Sequence, residues 1–161
     1  MMQMGMVARG FRFAAIVATV LTLAACAQTK TDGLTGNATP GSGQDFVVNV
    51  GDRVFFSEDQ STLSAQARST LDKQAQWLNK YSRYTVTIEG HADERGTRQY
   101  NIALGARRAN AVRDYLVAKG ISDSRLRTIS YGKERPVAVC NDESCWTQNR
   151  RAVTVLNNAG S

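Results

Sequence analysis

The sequence predicts an α+β fold, a two-layer sandwich in which two main helices pack on one face of a mixed sheet in the order βαβαββ. Short segments in which apolar and polar residues alternate, such as 84–89, are typical of strands with one buried face. Two longer segments with helical signals, 64–80 and 98–119, separate these strands. Because the chain has 161 residues, it can hold one domain of ordinary size together with tails.

The first strand is expected where apolar residues recur at every second position, at Phe46, Val48 and Val50. It should end near Phe56, with a break at Gly51, because glycine inside a strand pattern often marks an irregularity. A polar loop then leads to the first helix.

The first helix is predicted to begin after Ser64, a good N-cap residue, and to end near Lys80. The second helix, 98–119, should end at Gly120, because glycine readily takes the left-handed conformation that closes helices. One face of the first helix carries Ala67, Leu71, Ala75 and Leu78. The remaining strands are expected at 84–89, 126–131 and 152–156.

The N-terminus predicts a lipoprotein signal peptide over residues 1–25. Two arginines precede an apolar run that is too short to span a bilayer as a mature helix. The run ends in Leu23-Ala24-Ala25-Cys26, which resembles the lipobox of bacterial lipoproteins, where the cysteine becomes the acylated N-terminus. Ala27 follows it, and by this resemblance the absence of Asp there implies sorting to the outer membrane. The alternative is a plain signal peptide with an incidental cysteine.

The lipidated N-terminus and a flexible linker are expected over residues 26–44. This stretch is rich in Thr, Gly, Ala, Asn and Ser and shows no periodicity, which is typical of a disordered tether. Its eighteen residues after Cys26 would reach about 25 Å on average.

A distinctive motif lies between the second strand and the second helix. It comprises Gly90-His91-Ala92-Asp93-Glu94-Arg95-Gly96-Thr97, Tyr100-Asn101, Leu104-Gly105 and Arg107-Arg108-Ala109-Asn110-Ala111-Val112. The motif resembles the peptidoglycan-binding signature of the OmpA C-terminal-like family, in its peptidoglycan-associated lipoprotein branch. The resemblance extends from about Val54 to Leu156. It implies the same α+β fold and a peptidoglycan-binding domain over residues 45–161.

The residues of this motif predict an acid–base site on their own chemistry. Arg108 has no acidic residue three or four positions away, so no local ion pair can neutralise it. Asn101, Gly105 and Arg108 form one helical stripe, and the glycine would let a ligand approach closely. An unpaired guanidinium suits a carboxylate, and Asp93 at the strand end suits an ammonium group.

The resemblance implies that the ligand is the meso-diaminopimelate side chain of the peptidoglycan stem peptide, which carries both groups on one carbon. By the same resemblance the binding residues are Asp59, Asp93, Asn101, Arg108 and Arg150. The family further implies a non-catalytic tether between outer membrane and cell wall, lipid-anchored with its domain facing the periplasm. It also implies membership of the Tol–Pal system, with TolB as a partner and TolA as a further candidate.

Several of these residues have simpler interpretations. Asp93 could bind only the amides of its turn, Arg108 could be a solvated helix charge, and His91 is expected to be structural. Glu94 and Arg95 are expected to be solvated turn residues or partner contacts. The two tryptophans, Trp77 and Trp146, are expected to pack in the core or against a loop.

A disulfide between Cys140 and Cys145 is expected because the predicted topology places them in an oxidising periplasm. A metal site would need more ligands than these cysteines and the single histidine, His91, can supply, so no metal or other cofactor is expected.

Two other functions are weighed from the composition. A cell-wall hydrolase would need a metal site or a paired acid and base at persuasive spacing, and neither is visible, so no enzymatic activity is expected. The net charge of +6 is modest and forms no basic-aromatic array, which disfavours nucleic-acid binding. An envelope spacer or protein-interaction lipoprotein without wall affinity remains the alternative.

Overall fold

The computed structural model describes residues 38–157, which belong to one compact unit, Gly36–Ser161. The predicted signal peptide, Cys26 and most of the predicted linker therefore lie outside the described residues. In chain order the elements are α1 (Gly43–Asp45), a π-helical segment (Phe46–Gly51), β1 (Arg53–Phe55), α2 (Ala65–Lys80), β2 (Thr85–His91), α3 (Arg98–Ala118), a 3-10 turn (Asp123–Arg125), β3 (Leu126–Gly132), α4 (Glu143–Asn149) and β4 (Arg151–Asn157). Over residues 38–157 no helix is long and apolar enough to cross a bilayer.

The four strands form one mixed sheet in the order β1-β4-β2-β3. β2 runs parallel to β3, while β4 lies antiparallel to both β1 and β2. On β2 the side chains of Val86 and Ile88 are fully buried toward α2 and α3, in keeping with the alternation in the sequence. The predicted α+β sandwich, with two main helices on one face, is confirmed.

The signals that begin and end the two main helices act as predicted. The Ser64 hydroxyl accepts a hydrogen bond from the amide of Ala67 at 3.1 Å, which caps α2. Gly120 adopts a φ of +91° directly after α3, in the left-handed region that glycine tolerates. The predicted face of α2 is also confirmed, because Ala67, Leu71, Ala75 and Leu78 are all buried.

The predicted strand over residues 46–50 is wrong, because this stretch is helical. Ser42 caps the helical turn, and its hydroxyl accepts a hydrogen bond from the amide of Asp45 at 3.1 Å. Phe46 is fully buried and packs on Trp77, with 4.9 Å between the ring centroids, whereas Val48 is exposed. Burial on one side of a helix thus overrides the two-residue alternation, and only Arg53–Phe55 of the predicted strand forms β1.

Residues just before the predicted domain start at residue 45 already contact the folded domain. The carbonyl oxygen of Gly41 accepts a hydrogen bond from Tyr84 Oη at 2.8 Å, just before β2. Asp45 reinforces this attachment, because its carboxylate accepts hydrogen bonds from Gly41 N and Trp77 Nε1, both at 2.8 Å. Residues 41–45 are therefore held to the domain by these contacts.

The closest approach between α3 and the sheet occurs at two glycines. A Cβ atom at Gly90 on β2 would overlap the backbone carbonyl of Gly105, and a Cβ at Gly105 would meet Ser130 Oγ and Gly90 O. The prediction that Gly105 admits a ligand is wrong, because the stripe of α3 that carries it faces the sheet and is buried. Its small size serves close packing instead.

Replacing Gly90 with Ala should destabilise the domain by about 3 kcal/mol or more, because the new methyl group would overlap backbone that cannot move alone. Gly43→Ala is a matched control, since a Cβ there meets nothing within 4 Å. Urea unfolding followed by circular dichroism measures both changes. Equal stability of the two variants would contradict the close approach of helix and sheet.

Candidate functional site

Four segments meet beyond the C-terminal end of β2. They are the turn 92–97 between β2 and α3, the loop 57–60 after β1, the inner side of α3, and α4 with the residue that follows it. Because β1 and β4 pair and β4 also pairs with β2, the loop after β1 and the start of β4 are brought to this end of β2. The predicted site residues lie in these segments.

Arg108 is fully buried and is held by three backbone carbonyl groups. Its Nε donates to Gln60 O at 2.8 Å, Nη1 to His91 O at 2.8 Å, and Nη2 to Ser57 O at 3.0 Å. Burial lowers the pKa of Arg108 to about 10, although the charges of Asp93 and Asp59 oppose that effect. Arg108 is therefore not the solvated helix charge of the simpler interpretation. A guanidinium has five N–H donors, so one on each Nη has no partner among the described residues.

Asp93 lies two residues beyond β2 and is almost fully buried between two arginines. Its Oδ2 accepts a hydrogen bond from Arg95 Nη2 at 2.8 Å and a longer one from Arg150 Nη1 at 3.4 Å. Its Oδ1 accepts hydrogen bonds from the Arg95 amide at 3.1 Å and from Arg95 Nε at 3.3 Å. Burial would raise the pKa of Asp93, but these bonds outweigh it and hold the pKa below its ordinary value.

Arg150 connects the Asp93–Arg95 ion pair to the helix α4. Its Nε donates to Phe56 O at 3.2 Å, and its Nη2 forms an ion pair with Glu143, which raises the pKa of Arg150. Glu143 lies inside the ring closed by the Cys140–Cys145 disulfide, which is present as predicted. The disulfide therefore helps to position the carboxylate that partners Arg150.

The other two predicted residues lie at the edges of this network. Asn101 is buried on α3, and its Nδ2 donates to the carbonyl of Arg95 at 2.7 Å, which fixes the turn. Asp59 is exposed in the tight loop 57–60, with a φ of +51° that Asp tolerates better than most residues. All five predicted site residues thus lie around the end of β2, with Asp93 and Arg150 in direct contact.

His91 is buried, with 2% of its surface exposed, as expected for a structural histidine. Neither ring nitrogen has a hydrogen-bond partner among the described residues, and Nε2 lies 3.6 Å from Glu89 Oε2. Burial, together with the nearby charge of Arg151, lowers the pKa of His91 to about 4. The imidazole is therefore neutral at pH 7.

Sequence reasoning missed the roles of Arg95, Glu143 and Trp146. The Arg95 guanidinium stacks on the Trp146 ring, with 4.1 Å from Cζ to the centroid, and also pairs with Glu58 at 2.8 Å. The predicted order βαβαββ has no helix between its last two strands, although Asp142 is a good N-cap residue and accepts a hydrogen bond from Ser144 N at 2.8 Å. The part of the chain that the structure describes holds no group of three His, Cys, Asp or Glu side chains suited to a metal ion.

Comparisons with known proteins agree with this geometry. Residues 55–151 match the OmpA family. The chain is 60% identical over 168 residues to the peptidoglycan-associated lipoprotein of Mesorhizobium japonicum, covering 98% of this chain and 100% of that protein. It is 62% identical to the protein of the same name from Rhizobium meliloti, covering 99% of this chain and 94% of that one.

Solved structures give the same result. The crystal structure of the peptidoglycan-associated lipoprotein from Burkholderia pseudomallei superposes with a TM-score of 0.64 at 42% identity, covering 66% of this chain and 90% of that one. The C-terminal domain of Helicobacter pylori MotB has a TM-score of 0.62 at 20% identity, covering 66% and 84%, and indicates the shared fold alone.

The family match and the four-stranded mixed sheet define the fold as that of an OmpA-like domain. Within that class, the matches to the Mesorhizobium and Rhizobium proteins, at 60% and 62% identity over nearly the whole chain, show to which group of OmpA-like proteins it belongs. The chain belongs to the peptidoglycan-associated lipoproteins of the OmpA family.

Replacing Arg108 with Met should lower the free energy of unfolding by about 4 kcal/mol, because three carbonyl groups would lose their donor. Arg107→Met is the control, since Arg107 is exposed on the same helix and its guanidinium lies 5.9 Å from the centroid of the Tyr100 ring. Urea unfolding measures both. Similar losses in the two variants would show that the bonds to the carbonyls contribute little.

His91 should make the domain less stable in acid. Because its folded pKa of about 4 lies below its ordinary value of 6.5, the unfolded chain binds a proton first as the pH falls. Stability present above pH 6.5 is then lost toward pH 4, by about 3 kcal/mol in all. In His91→Asn, urea unfolding between pH 7 and 4.5 should show a shallower decline. Parallel curves for wild type and variant would contradict this.

Proposed function

We propose that this protein is an outer-membrane lipoprotein whose domain binds peptidoglycan non-covalently and so tethers the outer membrane to the cell wall. In this proposal residues 1–25 are the signal peptide, Cys26 carries the lipid, and a flexible linker joins it to a domain facing the periplasm. The names of the close relatives, peptidoglycan-associated lipoproteins, support the wall-binding part.

The observation that carries the proposal is the placement of Asp93 and Arg108 at one end of β2. Asp93 offers a carboxylate to an ammonium group, while Arg108, although buried, has one N–H on each terminal nitrogen without a partner among residues 38–157, which suits a carboxylate. The meso-diaminopimelate side chain carries these two groups on one carbon, so it can satisfy both charges. Asn101, Asp59 and Arg150 complete the proposed site: Asn101 holds its turn, Arg150 contacts its acid, and Asp59 lies exposed in the adjoining loop.

The path of the chain also supports a tether. The Gly41 carbonyl is bound by Tyr84 before β2 begins, whereas Asp93 lies just after β2 ends. A seven-residue strand spans about 23 Å, so the predicted linker joins the domain far from the proposed site. A lipid anchor on that linker would leave the site open to the wall.

The same family resemblance extends the proposal to the Tol–Pal system, with TolB binding an overlapping surface and TolA as a further candidate partner. Recovery of TolB with the soluble chain from a periplasmic extract tests this assignment. An extract that yields the chain without TolB would count against it.

One observation favours the alternative of an envelope spacer without wall affinity. Asp93 and Arg108 already have partners within the protein, so the network could serve stability alone. A catalytic function has less support, because the acids and arginines pair with one another and the relatives are not named as enzymes.

The decisive experiment is co-sedimentation of the soluble chain, from Ala27 onward, with sacculi that contain diaminopimelate. Wild type should pellet, and Asp93→Asn should weaken binding by more than about 30-fold, because a buried charge partner contributes roughly 2–5 kcal/mol. Lysine-type sacculi should bind poorly, since they leave Arg108 without a carboxylate.

Asp114→Asn is the matched control, because Asp114 is exposed on α3 and 3.6 Å from Arg113. Circular dichroism must show that both variants are folded. If wild type stays in the supernatant, wall binding is excluded and the spacer alternative is favoured.

A further inference from the structure

In this structure the carboxylate of Asp93, the acid of the proposed site, is already paired with an arginine. Both carboxylate oxygens of Asp93 accept hydrogen bonds from Arg95, through Nε on one oxygen and Nη2 on the other. An ammonium group that binds Asp93 needs the same oxygens. The contact with Arg150 is longer, at 3.4 Å, so Arg95 is the stronger competitor.

Arg95 also lies on the solvent side of this pair. Its side chain is 32% exposed, whereas that of Asp93 is only 10% exposed. A ligand that approaches from solvent therefore meets Arg95 before Asp93. The arginine carries the same charge as the ammonium group that the site is proposed to bind, so both cannot occupy the carboxylate in full.

Arg95 has a second set of partners that does not involve Asp93. Its Nη1 lies 2.8 Å from Glu58 Oε1, and its guanidinium stacks on the Trp146 ring. Trp146 is itself held by the hydrogen bond that its Nε1 donates to Glu94 at 3.0 Å. If Arg95 moved away from Asp93, it would thus keep a carboxylate and an aromatic partner. Its displacement should therefore require little free energy.

We propose that Arg95 is a specificity-determining residue that occupies the place of the ligand's ammonium group over Asp93 in the free protein, and that binding exchanges the two cations. This inference rests on the proposed function. A ligand with a carboxylate but no cation cannot displace Arg95. A ligand with a cation but no carboxylate gains nothing from Arg108 to offset the displacement. Arg95 thereby favours ligands that carry both groups.

The experiment is calorimetric titration of the soluble chain, from Ala27 onward, with the tripeptide L-Ala-γ-D-Glu-meso-diaminopimelate. In Arg95→Met the competitor is gone but the stem that lies on Trp146 remains, so the peptide should bind roughly 5- to 10-fold tighter. Arg98→Met is the matched control, because it removes the same charge three residues away. The Arg98 side chain is 74% exposed and pairs with Glu134, so its loss should leave the affinity nearly unchanged.

A second measurement uses the wild-type protein and needs no variant to fold. The Nε–H signal of Arg95 in a 15N NMR spectrum should shift when the tripeptide saturates the site, because its bond to Asp93 is lost. A signal that does not move would overturn the exchange.

The outcomes separate this inference from the proposed function. If wild type binds the tripeptide but Arg95→Met binds no tighter than Arg98→Met, the competition is refuted while wall binding stands. A loss of binding in Arg95→Met alone would mean that Arg95 contacts the ligand itself, which also overturns the inference. If neither wild type nor variant binds, both proposals fail together.

Discussion

The contact between Gly90 and Gly105 sets the distance between α3 and the centre of the sheet, and the site depends on that distance. Because the helix lies so close, the side chain of Arg108, one turn further on, reaches the carbonyl that ends β2. From there it also holds two carbonyls of the loop 57–60. A buried cation bound to three carbonyls thus joins sheet, helix and loop into one unit, next to the turn in which Arg95 and Arg150 hold Asp93.

Most of the fold could be predicted, because its signals are local. The cap at Ser64, the glycine after α3 and the alternation along β2 each act through neighbouring residues. The strand prediction for the segment 46–50 is wrong for a physical reason. Its apolar residues fit a strand and a helix about equally well, and the choice depends on Trp77, which lies some thirty residues further along and receives Phe46.

The proposed site was only partly predictable. The sequence predicts Asp93 at the end of a strand and Arg108 on the inner stripe of the helix that follows. It could not place Glu58, Glu143 or Trp146, because these come from segments far apart in the chain and meet only after the sheet forms. It also could not show that Arg108 bonds to backbone carbonyls, since every residue carries a carbonyl and the sequence does not mark which ones are left without a partner.

The attachment of Gly41 at the start of β2 determines how the domain would carry a pulling force. A pull between Gly41 and the end of β2 would run along the covalent backbone of β2, which its ladders with β3 and β4 hold on both sides. Only a few hydrogen bonds hold Gly41 and Asp45 to Tyr84 and Trp77. Under load these bonds would break first, and residues 41–45 would come away from the domain while the sheet stays intact.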